Sequence, residues 1–460
     1  MKQYQSFIFD ACAFDPETGI ITLTYSLDDD ITFKERLTLP MESLRSSDDA
    51  PSLGNALRAL HLMGGISYYK TCLPKTMTIR TGNLSPEEAA FWNTVYENGL
   101  GEFFFRNNID FNGLIHFPAN QQPVPSTQQP PEAPIENRAK RVLVPVGGGK
   151  DSMVTVELLK KAGFDCTLLR LGKHPLIDRL AEEAGLPLLT VNRSLPKELF
   201  ELNAAGALNG HVPITAYLSF VAVIVAILGD FDAVVLSNER SASFGNVSYH
   251  GKEINHQWSK GIAFERMMQD YLRSFVKTDI SCFSLLRPLS ELHIAKLFAQ
   301  FPRYLPLTTS CNKNWKIRAR ESAPLPPGEG RGGEGNLWCG KCPKCAFVFS
   351  LLAAFVPKKT LLQTFGKNLY TDAALLPLYR ELWGIEGMKP FECVGTPDEA
   401  KAAFLLAMEH KEYDHDPVMQ AFKKDVLPSI PDPKKLIDEI LTPSADHCVP
   451  VPFSKLITER

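Results

Sequence analysis

A glycine-rich turn is the segment of this chain best suited to bind a phosphate group. The residues Gly147–Ser152, with the sequence GGGKDS, follow the apolar run VLVPV and precede a predicted helix. Glycines let backbone N–H groups approach an anion closely, and a helix N-terminus carries partial positive charge. Lys150 and Ser152 add side-chain donors. The sequence therefore predicts a phosphate site, although an unliganded βα turn with Asp151 as a simple helix cap has the same pattern.

Four cysteines have the spacing of a metal site. Cys339, Cys342 and Cys345 follow one another at two-residue intervals in CGKCPKC, and Cys311 is the natural fourth ligand if the intervening stretch is looped out. Four thiolates suit tetrahedral zinc, and a closed site of this kind is structural. An iron–sulfur cluster uses the same ligands, and unliganded thiols are the remaining alternative. The other six cysteines, Cys393 among them, are predicted to be ordinary half-buried residues.

A polar stretch after the predicted strand AVVLSN is the third candidate region. It contains the segments SNERSAS and INHQWSKG, which place Glu239, Arg240, His256 and Lys260 close together in the sequence. Ligand sites of open α/β sheets lie along the carboxyl edge of the strands, where this stretch begins. A solvated loop explains the same residues if His256 is a structural hydrogen-bonding group and Glu239 pairs with Arg240.

A parallel sheet is needed to position these residues. From Arg141 onward, apolar strands alternate with helices, which indicates βαβ units and a sheet of about five parallel strands. The segment VPITAYLSFVAVIVAIL, residues 212–228, is close to membrane-spanning length but predicts a buried core helix in an α/β context. Ser85 with Pro86 predicts the start of another helix, because serine caps helices and proline fits their first position.

The domain prediction follows from changes in composition along the chain. Six prolines lie between Pro118 and Pro134, which indicates a linker, and the segment ESAPLPPGEGRGGEGN predicts a disordered insertion. The predicted parts are an N-terminal α+β domain that could bind substrate (1–117), a Pro-rich linker (118–138), a phosphate-loop domain (139–310), the four-cysteine region (311–360) with its insertion (321–336), and a helical C-terminal region (361–460).

Charge and termini limit the classes of function. The chain has 49 basic and 52 acidic side chains, a formal net charge of -3, and no long basic run, so nucleic acid is not an expected partner. The N-terminal residues MKQYQSFIFD lack an uninterrupted apolar segment, so no export signal is expected. We therefore expect a cytoplasmic protein without a membrane partner; no oligomeric state is predicted.

The GGGKDS loop resembles the PP-loop, Ser-Gly-Gly-x-Asp-Ser, of the adenine nucleotide alpha hydrolases. The resemblance implies a Rossmann-like, HUP-type parallel sheet that cleaves ATP between its α and β phosphates and retains pyrophosphate. It also implies that Asp151 helps to hold magnesium pyrophosphate. Gly147 stands where that family has serine, which removes one hydroxyl donor. The residues predicted to bind the nucleotide are Gly147, Gly148, Gly149, Lys150, Asp151, Ser152 and Asn238.

The combination of motifs resembles the UDP-N-acetylmuramoyl-L-alanyl-L-glutamate epimerases of bacterial peptidoglycan synthesis. The resemblance spans nearly the whole chain and includes GGGKDS, SNERSAS, INHQWSKG and WCGKCPKC. It implies inversion of a terminal L-glutamate in a nucleotide-sugar dipeptide, dependent on ATP and magnesium, with release of AMP and pyrophosphate. Adenylation would make the α-proton more acidic, because the acyl-adenylate carbonyl is neutral and can delocalise charge as an enolate.

In that mechanism His256 and Lys260 are the predicted bases on the two faces of Cα. Glu239 is predicted to be catalytic with them, and Arg240 to clamp a substrate carboxylate with its bidentate guanidinium. Two alternatives stay open. One is a PP-loop enzyme that adenylates a nucleobase or tRNA, similar to 7-cyano-7-deazaguanine synthase, which has a related cysteine set. The other is a nucleotide-binding scaffold without catalysis.

Overall fold

The first three strands form an antiparallel meander, as predicted. The structure, a computed structural model, describes residues 3–44, 49–120, 141–315 and 337–458. The three strands, β1 (Ser6–Asp15), β2 (Ile20–Leu27) and β3 (Ile31–Thr38), pair in sequence order, and β4 (Thr76–Ile79) joins β1 in parallel. In β3 every second residue is buried, because side chains alternate between the two faces of a sheet.

Five parallel strands form the other half of the sheet. They are β5 (Arg141–Pro145), β6 (Asp165–Leu171), β7 (Leu188–Ser194), β8 (Ala233–Leu236) and β11 (Ser281–Ser284). Their spatial order is β11-β8-β5-β6-β7, and each adjacent pair is parallel. The predicted parallel sheet of about five strands is confirmed. Two short strands, β9 (Val247–Tyr249) and β10 (Lys252–Ile254), form a separate hairpin in the polar stretch.

The two halves are one continuous sheet of nine strands. Strand β3 pairs antiparallel with β7, with Leu37 opposite Arg193, so the order is β11-β8-β5-β6-β7-β3-β2-β1-β4. The segments predicted as separate N-terminal and phosphate-loop domains therefore share a sheet. Of the linker predicted at 118–138, only residues 118–120 belong to the described part of the chain, and the insertion predicted at 321–336 lies outside it.

A buried carboxylate holds the junction between the halves. Glu35 on β3 is fully buried and accepts two hydrogen bonds from Arg193 of β7, at 2.8 and 3.0 Å. Tyr68 donates to the same carboxylate at 2.5 Å, and the hydroxyl of Tyr217 donates as well. The Arg193 guanidinium also lies 4.1 Å from the Tyr217 ring centroid. The pair is thus fully hydrogen-bonded, which a buried ion pair requires.

Helices cover both faces of the sheet. Their bounds are α1 (Ala50–Gly64), α2 (Ile66–Tyr69), α3 (Pro86–Gly99), α4 (Gly101–Arg106), α5 (Lys150–Lys161), α6 (Pro175–Ala184), α7 (Lys197–Ala204), α8 (Ile214–Gly229), α9 (Ile262–Tyr271), α10 (Glu291–Phe298), α11 (Pro343–Ala353), α12 (Lys358–Phe365), α13 (Leu376–Leu382), α14 (Pro397–Glu409), α15 (Pro417–Asp425), α16 (Pro433–Leu441) and α17 (Val451–Thr458). The residues after 361 are mostly helical, as predicted.

Alternate residues of the parallel strands enter two different cores. Val142 and Val144 of β5 pack with α5, α10 and the C-terminal helices, whereas Leu143 faces the N-terminal helices and α8. Helix α8 is almost entirely buried, which confirms the predicted core helix. Within the described ranges, no helix has both the length and the apolar character needed to cross a bilayer. Ser85 caps α3 through Glu88 N–H, also as predicted.

Candidate active site

The glycine turn lies at the carboxyl end of β5 and leads directly into α5. Gly148 has φ of +82°, a conformation that side chains disfavour, and Gly149 is the N-terminal cap residue of the helix. The turn is fixed by Thr309 N–H, which donates to the Gly148 carbonyl at 2.9 Å, and by Ser152 Oγ, which donates to the Gly149 carbonyl at 3.1 Å. A Cβ at Gly147 would meet no atom within 4 Å, so the turn is open on that side.

The N-terminus of α5 has no side-chain cap. Two other helices near it are capped in the usual way: Ser290 Oγ accepts from His293 N–H in α10, and Thr396 with Glu399 forms a capping box in α14. Gly149 has no side chain to serve this purpose. The first N–H groups of α5 therefore have no side-chain acceptor, and this end of the helix carries partial positive charge. Helix N-termini that bind anions have the same two properties.

Lys150 forms a buried ion-pair group with two acids. Its Nζ lies 2.5 Å from Asp151 Oδ1 and also bonds Glu291, the first residue of α10. Burial alone lowers the pKa of Lys150, but Asp151 and Glu291 outweigh burial and hold it above the ordinary lysine range. Glu291 N–H in turn donates to Glu399 of α14 at 2.7 Å. Sequence inspection missed Glu291, because a serine followed by glutamate also marks an ordinary helix start.

The polar stretch after β8 presents buried polar atoms without a protein partner. Ser237 Oγ, Ser241 Oγ and Gln257 Oε1 make no hydrogen bond to any described residue. Such buried atoms are rare unless they face a ligand or water. Asn238 lies between them, 9 % exposed, and its carbonyl accepts from Ser284 Oγ at 2.6 Å. The carboxyl edge of β8 is therefore a polar surface built by the segment that the sequence indicated.

One arginine holds two of the predicted site residues in place. Arg287, 1 % exposed, donates to the carbonyl of Glu239 at 2.6 Å and to the carbonyl of Lys260. Its charge is balanced by the buried Glu265 of α9, whose carboxylate accepts from Arg287 Nε at 2.9 Å. The backbone of the polar stretch is thereby fixed at the two positions that carry charged side chains.

Lys260 bonds the thiol of Cys393 and acts electrostatically on the carboxylate of Glu239. Lys260 Nζ donates to Cys393 Sγ at 3.4 Å. Burial opposes a charge on Lys260, yet Cys393, Glu239 and Asp151 raise its pKa above the ordinary range. The pKa of Glu239 is raised because the carboxyl group is buried, and the attraction of Lys260 offsets this only in part. Sequence inspection placed Lys260 and Glu239 here but not Cys393.

His256 also reaches the Cys393 thiol. Its Nδ1 bonds the Glu102 carboxylate of α4, and its ring is within hydrogen-bonding reach of Cys393. Burial lowers the pKa of His256, but Cys393 and Glu102 outweigh it and raise the value to about 9. A second imidazole, His211, lies 3.6 Å from Glu102 and 4.5 Å from His256 between ring centroids. Burial lowers the pKa of His211 to about 4.

Arg240 does not join this cluster. Its guanidinium donates to the carbonyls of Thr442 and Ile440 at 3.1 and 3.2 Å, at the C-terminal end of α16. There it satisfies carbonyl groups that a helix end leaves without partners. Arg240 and Glu239, its neighbour in sequence, therefore do not form the ion pair that the sequence allows, and Lys260 is the cation that opposes the effect of burial on the pKa of Glu239.

The four predicted metal ligands converge. The sulfur atoms of Cys311, Cys339, Cys342 and Cys345 all lie within 4.8 Å of one another. Two of the separations are 3.6 Å, between Cys339 and Cys345, and 3.5 Å, between Cys342 and Cys345. Four sulfurs around zinc at about 2.3 Å would be separated by about 3.8 Å, so the arrangement fits a tetrahedral ion. The site lies at the N-terminus of α11.

The fold and the edge of the sheet define an α/β protein with a polar, charged site at the carboxyl ends of β5 and β8. Two family models match this chain. The model of the MurL N-terminal domain matches residues 1–285, and that of the MurL C-terminal domain matches residues 307–435. The charged site takes Glu102 and Lys260 from the first of these segments and Cys393 from the second.

Curated relatives cover the full chain. UDP-N-acetyl-alpha-D-muramoyl-L-alanyl-L-glutamate epimerase from Xanthomonas oryzae pv. oryzae is 40 % identical over 450 residues, which is 97 % of this chain and 96 % of that protein. Epimerases of the same name are 37 % identical in Micromonospora sp. (100 % of this chain, 99 % of that protein) and in Salinispora tropica (99 % and 96 %). This chain belongs to the MurL family. It is an isomerase-class enzyme, an epimerase that acts on an amino-acid moiety.

Proposed function

We propose that this enzyme inverts the terminal glutamate of UDP-N-acetyl-alpha-D-muramoyl-L-alanyl-L-glutamate after ATP has converted its α-carboxylate to an acyl-adenylate. AMP and pyrophosphate are the by-products. The substrate comes from the names of the full-length relatives. The observation that carries the ATP step is the open glycine turn on the uncapped end of α5, on the same sheet edge as the titratable cluster.

The pyrophosphate part of ATP would bind at this turn, as in a PP-loop protein. N–H groups of Gly148, Gly149 and the first turn of α5 would donate to phosphate oxygens, with Ser152 beside them. Lys150 now shares its charge with Asp151 and Glu291. A magnesium ion that accompanies ATP would suit these two carboxylates, because magnesium prefers oxygen ligands and is usually bound by one or two carboxylates together with phosphate. Lys150 would then be available to the nucleotide.

Activation explains why an epimerase would need ATP. The free α-carboxylate resists loss of the neighbouring proton, because a second negative charge would develop beside the first. The acyl-adenylate is neutral at that carbonyl, so the charge can spread onto oxygen as an enolate. The proton-transfer groups are the titratable side chains at the sheet edge, with His256 and Lys260 as the principal candidates; the raised pKa of each suits it to deliver a proton rather than to remove one.

The geometry changes one detail of that assignment. Lys260 lies 3.4 Å from Cys393 Sγ, and His256 reaches the same sulfur. The two groups thus converge on one sulfur atom, whereas bases on opposite faces of Cα must be separated by the width of the carbon. We therefore assign Lys260 and His256 to one face of Cα, and expect the second proton path from another part of the site.

The four cysteines would hold a structural zinc ion. Their number and sulfur separations suit it, and a closed tetrahedral site leaves no position for substrate. Zinc would tie the segment at Cys311 to the start of α11. No catalytic step is assigned to this ion.

The test supplies the named substrate with magnesium and ATP in deuterium oxide. Formation of the D-glutamyl diastereomer with deuterium at Cα, together with one AMP and one pyrophosphate per inversion, supports the proposal. Lys150→Met is expected to lose pyrophosphate release by at least about 10²-fold, because a phosphate contact in a buried site is removed. Lys161→Met, at the exposed end of the same helix, is the matched control. Inversion without ATP, or without deuterium uptake, would contradict the mechanism.

A further inference from the structure

The thiol of Cys393 lies at the centre of the titratable cluster and has no role in the function proposed above. It is half-buried, receives a hydrogen bond from Lys260 Nζ at 3.4 Å, and lies beside the imidazole of His256. Because His256 Nδ1 faces Glu102, its Nε2 is the nitrogen left for the sulfur. A thiol next to an imidazole that a carboxylate orients is the arrangement of an activated sulfur nucleophile.

The loop that carries Cys393 is held against the polar stretch by side chains of that stretch. Asn246 Nδ2 donates to the carbonyl of Pro390 at 2.8 Å, and Gln257 Nε2 donates to the carbonyl of Val394 at 3.3 Å. The other end of the same amide, Gln257 Oε1, has no partner among the described residues, although Gln257 is only 3 % exposed. A buried acceptor without a partner, on a side chain that bonds the residue after Cys393, indicates that a polar ligand group binds beside this loop.

Neighbouring cations favour the ionised form of the Cys393 thiol. Burial raises the pKa of Cys393, but Lys260, Lys344 and His256 outweigh burial and bring it well below the ordinary thiol value. Cys12, which is also half-buried, has no such neighbours, and burial raises its pKa to about 12. The charges around Cys393 therefore favour the thiolate form there and those around Cys12 do not, and the thiolate is the form that attacks carbon.

The same electrostatics make a nucleophile a better assignment than a base. A general base works best when its pKa is near the working pH, and a strongly stabilised thiolate has too little affinity for a proton. Nucleophilicity falls only about half as steeply as basicity when a thiol pKa is lowered. Cys393 has thus lost more capacity to remove a proton than to attack a carbonyl. Contact with Lys260 and His256 also places Cys393 on one side of the substrate. A nucleophile needs access from one side only, whereas inversion needs a proton path on each face.

We propose that Cys393 takes the glutamyl group from the acyl-adenylate and carries it as a thioester during inversion. This inference rests on the proposed function, which supplies the acyl-adenylate. The sulfur forms a bond to the carbonyl carbon, and the bond from that carbon to the AMP oxygen breaks, with its electron pair leaving on AMP. The thioester carbonyl oxygen takes up the charge as an enolate while the α-proton passes to the second proton path on one face, and His256 or Lys260 delivers a proton to the opposite face.

Hydrolysis completes the cycle. Water attacks the thioester carbonyl, the carbon–sulfur bond breaks with its electron pair on sulfur, and both water protons pass to solvent. The products are the inverted carboxylate and the Cys393 thiolate. Lys260 stabilises the sulfur as it leaves, and His256, held by Glu102, is positioned to transfer the water proton.

The experiment uses the full-length protein with the named substrate, magnesium and ATP, stopped in acid within one turnover. Intact mass and peptide mapping should find the substrate acyl group on Cys393 of the wild-type protein. Cys393→Ala and Cys393→Ser should carry no acyl group and invert at least about 10³-fold more slowly, as expected when a nucleophile is removed. They should still release one pyrophosphate per protein. Cys12→Ala is the matched control and should behave as wild type.

Each outcome decides between the claims. Inversion by Cys393→Ala within several-fold of the wild-type rate overturns the thioester, as does wild-type inversion with no acyl mass on Cys393 at any time within a turnover. If the wild-type protein neither releases pyrophosphate nor inverts the substrate, the proposed function fails and the thioester fails with it. Alkylation of the folded wild-type protein by iodoacetamide at pH 7 is a second measurement: Cys393 should react at least tenfold faster than Cys12, and equal rates count against the thiolate.

Discussion

Replacement of Arg287 by methionine tests whether the buried arginine positions the charged site. Arg287 is 1 % exposed and contacts three acceptors: the Glu265 carboxylate and the carbonyls of Glu239 and Lys260. Methionine fills similar space but donates no hydrogen bond. The variant therefore leaves a buried carboxylate without its cation, and two buried carbonyls without their donor.

The expected loss of stability follows from these three contacts. Removal of one partner from a buried ion pair destabilises a protein by about 3–5 kcal/mol. Each buried carbonyl left without a donor adds about 1–3 kcal/mol, although the three effects overlap because one side chain is removed. We expect a total of about 4–6 kcal/mol, a large part of the free energy of unfolding of an ordinary domain. The double variant Glu265→Leu with Arg287→Met removes the stranded charge, so it should recover part of this loss.

Urea unfolding followed by tryptophan fluorescence measures the change, and the inversion rate is measured at a temperature where the variant is folded. The rate should fall by at least about 10²-fold, because Glu239 and Lys260 lose the group that fixes their backbone. Arg266→Met is the matched control: Arg266 neighbours Glu265, but its pair with Asp446 is exposed, so the effect should be below about 1 kcal/mol. A loss below about 1 kcal/mol for Arg287→Met, with unchanged inversion, would refute the reasoning.

Three further substitutions test other parts of the structure. Glu35→Gln should destabilise the junction of the sheet by about 3 kcal/mol, because Arg193 stays buried without its anion, and faster hydrogen exchange in β3 and β7 would report it; unchanged exchange contradicts this role. His61 is fully buried, and burial lowers its pKa from 6.5 to about 4. The free energy of unfolding is therefore highest above pH 6.5, where this imidazole is neutral in both the folded and the unfolded chain, and it falls by about 3 kcal/mol as the pH drops toward 4. His61→Gln should flatten this pH dependence of unfolding, and a variant with the wild-type pH profile contradicts the assignment. Cys342→Ser should reduce bound zinc, measured by elemental analysis, and lower the melting temperature; a protein purified without any metal would exclude the zinc site.

The parts of the fold that follow local rules could be predicted from the sequence. Alternating apolar strands and helices after Arg141 predicted the parallel sheet, since each βαβ unit buries its strand between helices. The cap at Ser85 and the buried segment 212–228 were also predicted correctly, because capping and continuous apolarity are local properties. The convergence of the four cysteines followed from their spacing alone.

Contacts between distant segments could not be predicted in this way. The pairing of β3 with β7 joins residues about 150 positions apart, and nothing in either strand specifies its neighbour, so two domains were expected where one sheet exists. The sequence around Cys393 predicts only an ordinary half-buried residue. Its surroundings depend on Lys260 and His256, which lie about 130 positions away in the sequence. Arg240 shows the opposite case, since its sequence neighbours belong to the site while its side chain reaches α16.

Charges of alternating sign connect the phosphate turn to the thiol. Lys150 contacts Asp151, Asp151 and Glu239 both act on Lys260, and Lys260 bonds Cys393. In a buried region each of these groups depends on its neighbours for its ionisation state, because charge without a partner is strongly disfavoured away from water. Binding of an anionic phosphate group at the turn would therefore change the field on Lys260, and through it the reactivity of the sulfur. This coupling gives a physical reason why a phosphate site and the titratable cluster would share one sheet edge, since Asp151 acts on both Lys150 and Lys260.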